Sequence, residues 1–199
     1  RLAWSADLLP YLEQGNVWDR IDFEKPYTDA DNHEAGSTEI AAYLCPSTNR
    51  LGPGRTGKST GDRNSNGAYD PGDDLAVTDY GGVNGWGFGA TVDNGVLLYE
   101  RGVAVAEIRD GTSNTIIVAE DTGRGWSWDG EWINGENIFD LSGPINKVQH
   151  NEMWSDHSGG CLAVFCDGSV HFLAESISVE TLNALATRSG GEVISADAY

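Results

Sequence analysis

An Asp-Gly dipeptide between two apolar runs is the feature that most constrains how this chain can fold. Asp167-Gly168 follows Cys-Leu-Ala-Val-Phe-Cys at 161–166 and precedes Ser-Val-His-Phe-Leu-Ala at 169–174. Two strand-like runs joined by Asp-Gly are typical of a β-hairpin with a two-residue type I′ turn, because both central residues of that turn need a positive φ. The sequence therefore predicts a hairpin over 161–174.

A two-residue turn also fixes which residues of the hairpin face each other. It places Phe165 opposite Val170 and Ala163 opposite Phe172. Because side chains alternate between the two faces of a strand, one face of the hairpin is predicted to be wholly apolar and to meet the core. That face consists of Cys161, Ala163, Phe165, Val170, Phe172 and Ala174.

The charge of the chain narrows the classes of partner that it can bind. Of its 199 residues 31 are acidic and 12 basic, which gives a net charge of −19. This balance disfavours binding to nucleic acid or to anionic membrane surfaces and favours divalent cations. No apolar run reaches the roughly 18 residues that a membrane span needs. The chain begins with Arg1 rather than Met, which we interpret as a processed or trimmed N-terminus.

The remaining pattern predicts a single α+β domain over 1–199, with an antiparallel β-sheet, short helices and long loops. Short helices are predicted at 5–14, 17–21, 29–37 and 179–187, the first capped by Ser5 and the last by Ser178. Strands are predicted at 40–44, 75–80, 95–99 and 114–120. A polar insertion at 49–74 and a Trp-rich region at 121–156 lack this periodicity and are predicted to be loops.

The polar insertion has the spacing of a calcium-binding loop. With Asp62 as position 1, oxygen-bearing side chains fall at positions 1, 3, 5, 9 and 12, glycine falls at 6, and position 7 offers its carbonyl. Asp replaces the usual Glu at position 12 and the flanks are not helical, so the loop is closer to those of dockerin-like extracellular repeats. The alternative is a solvated loop whose side chains satisfy its own turns. The predicted Ca²⁺ ligands are Asp62, Asn64, Asn66, Ala68, Asp70 and Asp73.

The histidine pattern typical of metalloenzymes is missing, because the sequence contains no His-x-x-x-His pair. The Gly-rich stretch at 81–89 lacks the Lys of a phosphate-binding loop. His157 lies near acidic residues that would suit acid–base or metal chemistry, but a hydrogen bond from it to loop backbone is the simpler interpretation. We therefore predict a protein that is not an enzyme, with no catalytic residue.

Three cysteines restrict the disulfides that the chain could form. Cys161 and Cys166 lie on one predicted strand about 17 Å apart, beyond the roughly 7 Å between Cα atoms that a disulfide allows. An intramolecular bridge would have to join Cys45 to one of these two. Three free, buried thiols are the alternative.

Tryptophans in the loop region 121–156 offer a second candidate site. Trp126, Trp128 and Trp132 alternate with acidic and small residues. If exposed, their rings could stack on sugars, whose apolar faces suit aromatic platforms. The alternative is that they cover the core from a long loop.

Several segments together resemble one known family. They are Leu-Leu-Pro-Tyr-Leu-Glu-Gln at 8–14, Cys-Pro-Ser at 45–47, Ile-Arg-Asp-Gly-Thr-Ser-Asn-Thr at 108–115, the hairpin with His157 ten positions before Asp167-Gly168, and the tail at 180–191. In this order they resemble the planctomycete-type prepilin-like proteins, a large family of unknown function. The resemblance covers nearly the whole chain.

The resemblance implies a fold and a role. Such proteins are similar to type IV pilins and type II secretion pseudopilins, which carry a cleaved leader, a long apolar helix and a β-rich head. The present sequence then corresponds to a pilin-like head without its N-terminal helix. We expect an extracellular or cell-envelope structural protein that assembles with itself or other pilin-like subunits through that helix, with Ca²⁺ stabilising the loop at 62–73. An extracellular glycan- or solute-binding module is the alternative.

Overall fold

A computed structural model describes residues 1–48, 73–87, 92–99, 101–122, 130–147, 153–195 and 199. The chain divides into two compact units, Arg1–Asp79 with Arg124–Asn137 and Tyr80–Gly123 with Ile138–Tyr199. Each unit has its own cluster of buried apolar side chains. Within the described ranges, no helix is long and apolar enough to cross a membrane.

The first unit is built from short helices. They are α1 (Trp4–Leu8), a 3-10 helix (Leu9–Leu12), α2 (Gly15–Trp18), α3 (Ala30–Gly36) and a second 3-10 helix (Ala41–Tyr43). The helix predicted over 5–14 tightens to 3-10 geometry after Leu8, because Pro10 has no N–H for an α-helical bond. Ser5, the predicted cap, is buried inside α1, and Ala3 occupies the N-cap position instead.

The core of the first unit forms where these helices meet the segment that contains Trp132. Leu9, Ile40 and Trp132 are all at most 1% exposed. The strand predicted at 40–44 is wrong, because the chain there turns through the second 3-10 helix. The helix predicted at 29–37 is confirmed as α3, and Oδ1 of Asp29 caps it by accepting a hydrogen bond from the Asp31 N–H at 3.0 Å.

A five-stranded sheet forms the second unit in the order β3-β1-β2-β4-β5. The strands are β1 (Tyr80–Trp86), β2 (Ile116–Glu120), β3 (Ile138–Leu141), β4 (Gly160–Phe165) and β5 (Val170–Ala174). Neighbours pair antiparallel except β1 and β3, which are parallel, so the sheet is mixed. The α+β class is confirmed, and the strand predicted at 114–120 corresponds to β2. The strand predicted at 75–80 reaches β1 only at Tyr80, and residues 95–99 form no strand.

The helix α4 (Val179–Ala186) packs against β1 and β2 of the same sheet. Leu182 and Leu185 are fully buried, as the helical spacing predicts. Oγ of Ser178 accepts a hydrogen bond from the Thr181 N–H at 3.0 Å. The predicted helix and its Ser178 cap are therefore confirmed.

The Asp167-Gly168 hairpin forms, but its loop has three residues rather than two. The Phe165 N–H donates to the Ser169 carbonyl at 2.9 Å, which leaves Cys166, Asp167 and Gly168 in the loop. The Gly168 N–H donates back to the Phe165 carbonyl, and Gly168 has a φ of 86°. This is a type I turn followed by a G1 bulge, so the predicted type I′ turn is wrong.

The extra loop residue shifts the hairpin register by one. Val164 pairs with Val170 and Leu162 with Phe172. Because a shift of one residue moves every side chain of a strand to the other face, the predicted core face holds for β4 and fails for β5. Cys161, Ala163 and Phe165 are buried as predicted, whereas Val170, Phe172 and Ala174 are exposed and Leu173 is buried in their place.

Candidate functional site

His157 contacts a carboxylate that the sequence analysis did not single out. Its Nε2 lies 3.3 Å from Oε1 of Glu120, the last residue of β2, whose side chain is fully buried. Oε2 of Glu120 accepts a hydrogen bond from the Leu162 N–H at 2.7 Å. The His157 N–H donates to Oγ of Ser155 at 3.1 Å, which orients the loop before β4. The only signal for Glu120 in the sequence is a carboxylate that ends the apolar run of β2.

Asp167 satisfies the turn that it occupies. Its Oδ1 accepts hydrogen bonds from the Ser169 N–H at 2.8 Å and from the Ser169 hydroxyl at 2.6 Å. These two hydrogen bonds favour the charged carboxylate and lower the pKa of Asp167 below its usual range. The Ser169 hydroxyl also lies 3.0 Å from Nε2 of His171. Asp167 therefore acts on the geometry of its own turn.

The two halves of the His157/Asp167-Gly168 motif lie beyond opposite ends of β4. His157 precedes Gly160, the first residue of the strand, and Asp167 follows Phe165, the last. The five residue steps between those ends span roughly 17 Å at ~3.4 Å each. The two side chains therefore do not form an acid–base pair, in agreement with a motif that stabilises the fold.

The segment 108–115 connects the hairpin loop to the tail after α4. The carboxylate of Asp110 accepts hydrogen bonds from the N–H groups of Gly190 and Gly191, at 2.7 and 3.0 Å. On the other side, the Asp167 N–H donates to the Thr112 carbonyl at 3.1 Å and the Cys166 N–H to the Thr115 carbonyl at 2.9 Å. Three segments distant in the sequence are thus held together mainly through backbone hydrogen bonds.

A family model matches the part of the chain that contains these motifs. Residues 1–180 match the family described as Protein of unknown function (DUF1559). The chain belongs to the DUF1559 family. This is the planctomycete prepilin-type family that the sequence resembles, so the resemblance is confirmed. No curated protein matches the chain, and no solved structure does.

The DUF1559 match includes almost every segment on which the resemblance rests. It spans 8–14, 45–47, 108–115 and the whole hairpin, and it ends at Glu180 in the first turn of α4. The tail that Asp110 holds lies beyond it. A prepilin-like family implies a secreted or cell-envelope location.

The predicted calcium loop of this DUF1559 protein lies mostly outside the described residues. Asp62, Asn64, Asn66, Ala68 and Asp70 all fall there, and only Asp73 is described. The Asp73 side chain is fully buried. The calcium site stays a prediction.

The three candidate tryptophans are divided in the same way. Trp126 and Trp128 lie outside the described residues, whereas Trp132 is fully buried in the core of the first unit. Its Nε1–H donates to the Thr38 carbonyl at 3.0 Å, and its ring packs at 6.1 Å from that of Tyr43. In this position Trp132 covers the core, and its ring is not available to stack on a sugar.

None of the three cysteines is part of a disulfide bond, so Cys45 is linked to neither Cys161 nor Cys166. Cys45 and Cys161 are buried. Burial, and next the negative charge of Asp167, raise the pKa of the Cys166 thiol to about 11. Cys166 is therefore neutral near pH 7 and a poor nucleophile.

An exposed aromatic pair on the first unit was not predicted. Trp18 and Phe23 are 38% and 41% exposed, and their ring centroids lie 5.2 Å apart with the planes tilted by 44°. The pair carries acidic neighbours in the chain, Asp19, Asp22 and Glu24.

Proposed function

We propose that this DUF1559 protein is the globular head of a pilin-like or pseudopilin-like subunit, with a structural role in a surface filament or secretion assembly and no enzymatic activity. The observation that carries the proposal is the match of residues 1–180 to a prepilin-type family. A sheet-based head with short helices is compatible with it.

The way in which the family motifs are used supports a structural role. The carboxylate of Asp110 is engaged by tail backbone, that of Asp167 by its own turn, and Glu120 by His157 and a strand N–H. Asp110 and Glu120 therefore hold one segment against another, and Asp167 holds the hairpin turn in its geometry. An enzyme would instead need such groups directed at an open site.

Calcium is the second component of the proposal. We propose that Ca²⁺ binds Asp62, Asn64, Asn66, the Ala68 carbonyl, Asp70 and Asp73 and stiffens the polar insertion. The spacing of oxygen-bearing residues and the net charge of −19 support this assignment.

Expression of the complete gene in a host with a prepilin peptidase and an assembly system tests the main proposal. Antibodies against this chain should detect a processed form at the cell surface or in the sheared filament fraction, and deletion of the peptidase should abolish both. Retention of the mature protein as a cytosolic monomer in the presence of the peptidase would contradict the proposal. A hydrolytic activity lost in His157→Ala would contradict its non-enzymatic part.

Binding of glycans is a second candidate function, and the exposed Trp18–Phe23 pair favours it. Aromatic faces stack on sugar rings, and nearby carboxylates accept hydrogen bonds from hydroxyl groups. Titration with soluble oligosaccharides should then show binding that Trp18→Ala removes. Tyr11→Ala, which truncates an exposed aromatic ring elsewhere on the same unit, is the matched control.

A further inference from the structure

The strand β5 leaves one edge of the sheet unpaired. It is the last strand in the order β3-β1-β2-β4-β5. Hydrogen bonds from Phe165 to Ser169 and from Glu175 to Gly159 bracket its ladder with β4, so the odd-numbered residues of β5 face β4. The N–H and C=O groups of Val170 and Phe172 therefore point away from the sheet. Among the described residues they have no hydrogen-bond partner.

The side chains of the same two residues are exposed apolar groups. Val170 is 59% and Phe172 48% exposed, as a result of the register shift at the turn. The Phe172 ring lies across Gly160 on β4, with half-buried Leu162 and Val164 on the same face. Open backbone groups and exposed apolar side chains thus coincide on one short strand, which is the arrangement that pairs with another strand.

The strand β5 has no acidic side chain of its own. The chain as a whole carries a net charge of −19, but Val170–Ala174 contains no acidic residue. Two copies of so acidic a protein repel each other, so a contact between them is favoured where carboxylates are missing. A strand supplied by a different acidic protein would bring its own carboxylates to this edge.

We propose that β5 pairs antiparallel with β5 of a second copy of this chain, about a two-fold axis at Phe172. This register places Phe172 opposite its own equivalent and Val170 opposite Ala174 of the other copy. The outward N–H and C=O groups of the two strands then satisfy each other. The ring pair at the axis adds an aromatic cross-strand contact.

Charge also selects this register over its neighbour. With the axis at Phe172, Glu175 lies opposite Ser169 of the other copy. A shift of two residues would move Glu175 towards the turn that holds Asp167, and like charges brought close together destabilise a strand pair. The proposal extends the assembly role proposed above and names a lateral contact between heads, but the strand geometry that carries it does not depend on that role.

Analytical ultracentrifugation at chain concentrations from roughly 10 μM to 1 mM tests the contact, because weak self-association becomes measurable in that range. Wild type should show a reversible dimer. Phe172→Lys and Phe172→Glu should each weaken it by about tenfold or more, since each places like charges at the axis. A 1:1 mixture of the two variants should restore association. Val105→Lys and Val105→Glu, at another exposed valine of the same unit, are the matched controls and should behave like wild type.

Hydrogen exchange at the backbone amides of β5 shows whether each variant is still folded. The His171 and Leu173 amides face β4 and should stay protected in every variant, which shows that the strand is still folded. The Val170 and Phe172 amides should gain protection only as the dimer forms. A chain that stays monomeric at 1 mM, or a dimer that is unaffected by the Phe172 variants, would overturn the proposal. Either result would leave the localisation test of the proposed function unaffected.

Discussion

Nε2 of His157 lies 3.3 Å from Oε1 of Glu120, and this contact ties the loop before β4 to the end of β2. The Glu120 side chain is fully buried, so it depends on protein partners in place of water. The Leu162 N–H donates a hydrogen bond to Oε2 of Glu120. Among the described atoms, Oε1 accepts no hydrogen bond of normal geometry. The imidazole is therefore the described side chain that compensates that oxygen.

Replacement of His157 should destabilise the fold through Glu120. We expect His157→Ala to lower the free energy of unfolding by about 1–3 kcal/mol, because it leaves a buried carboxylate oxygen without compensation. Urea unfolding measures the change. In a Glu120→Gln background, His157→Ala should cost less stability, because a neutral amide is less costly to bury without a partner than a carboxylate is. His33→Ala, at a partly exposed histidine whose ring lies 3.3 Å from the exposed Ser37 hydroxyl, is the control. A loss below roughly 0.5 kcal/mol in His157→Ala would show that the pair contributes little.

Two glycines of the hairpin should respond differently to the same added methyl group. A Cβ at Gly160 would lie against the Leu173 carbonyl and 2.7 Å from the Phe172 ring, whereas a Cβ at Gly168 meets nothing within 4 Å. Gly160→Ala should therefore force β4 and β5 apart and cost roughly 1–3 kcal/mol. Gly168→Ala should cost about 1 kcal/mol through its positive φ alone, and Gly168→Asn less, because Asn tolerates that conformation. Thermal unfolding compares the three variants, and equal losses for Gly160→Ala and Gly168→Ala would contradict this account.

The hairpin shows how far sequence patterns predict this fold. The Asp-Gly dipeptide and the apolar runs predict the existence and position of the two strands. They do not distinguish a two-residue loop from a three-residue one, because Gly supplies the positive φ that either loop needs. That one-residue difference reverses the faces of β5, exposes Phe172 and creates the open apolar edge.

Other features that the sequence did not predict also have specific physical causes. The strand β3 has consecutive buried residues, Ile138 and Phe139, and lacks the period of two that identifies a strand. The pairing of Glu120 with His157 and that of Asp110 with Gly191 join positions far apart in the sequence, and no local pattern encodes them. The cap at Ser178 was predicted because a cap and its helix are adjacent, whereas the cap at Asp29 was not predicted.

The Cys166 thiol should resist alkylation until high pH. Its pKa is raised from 9.0 to about 11 by burial and by Asp167. Iodoacetamide modification, followed by mass spectrometry, should therefore show a midpoint near pH 11 in the folded chain and near pH 9 in urea. Because the folded pKa is the higher one, the associated stability is fully present below pH 9 and is lost as the pH rises towards 11. Rapid modification of Cys166 at pH 7.5 in the folded chain would contradict this environment.

The tail after α4 should loosen when Asp110 is truncated. Asp110→Ala removes the acceptors of the Gly190 and Gly191 N–H groups, and we expect a loss of roughly 1–2 kcal/mol. Hydrogen exchange should accelerate at these two glycines, whereas β4 and β5 should keep their protection. Asp110→Asn keeps one acceptor oxygen and should be intermediate. Glu39→Ala, at an exposed carboxylate outside this region, is the control for the loss of one negative charge. Unchanged exchange at Gly190 and Gly191 in Asp110→Ala would show that the tail is held by other contacts.

Calcium should stabilise the chain if the loop at 62–73 binds it. For a dissociation constant on the order of 10⁻⁴ M, typical of extracellular modules, 5 mM Ca²⁺ would add about 2 kcal/mol and raise Tm by roughly 5 °C. The same concentration of Mg²⁺ should have a smaller effect, because Mg²⁺ dehydrates reluctantly and demands octahedral geometry.

Asp62→Asn and Asp70→Asn should lower the Ca²⁺-dependent shift and leave Tm in chelator unchanged, since each removes one charge from the predicted ligand set. Glu39→Gln, at an exposed carboxylate outside the insertion, separates loss of a ligand from loss of net charge. An equal shift in Asp62→Asn and Glu39→Gln would assign the effect of Ca²⁺ to screening of the net charge of −19. No shift in wild type at millimolar Ca²⁺ would exclude the site.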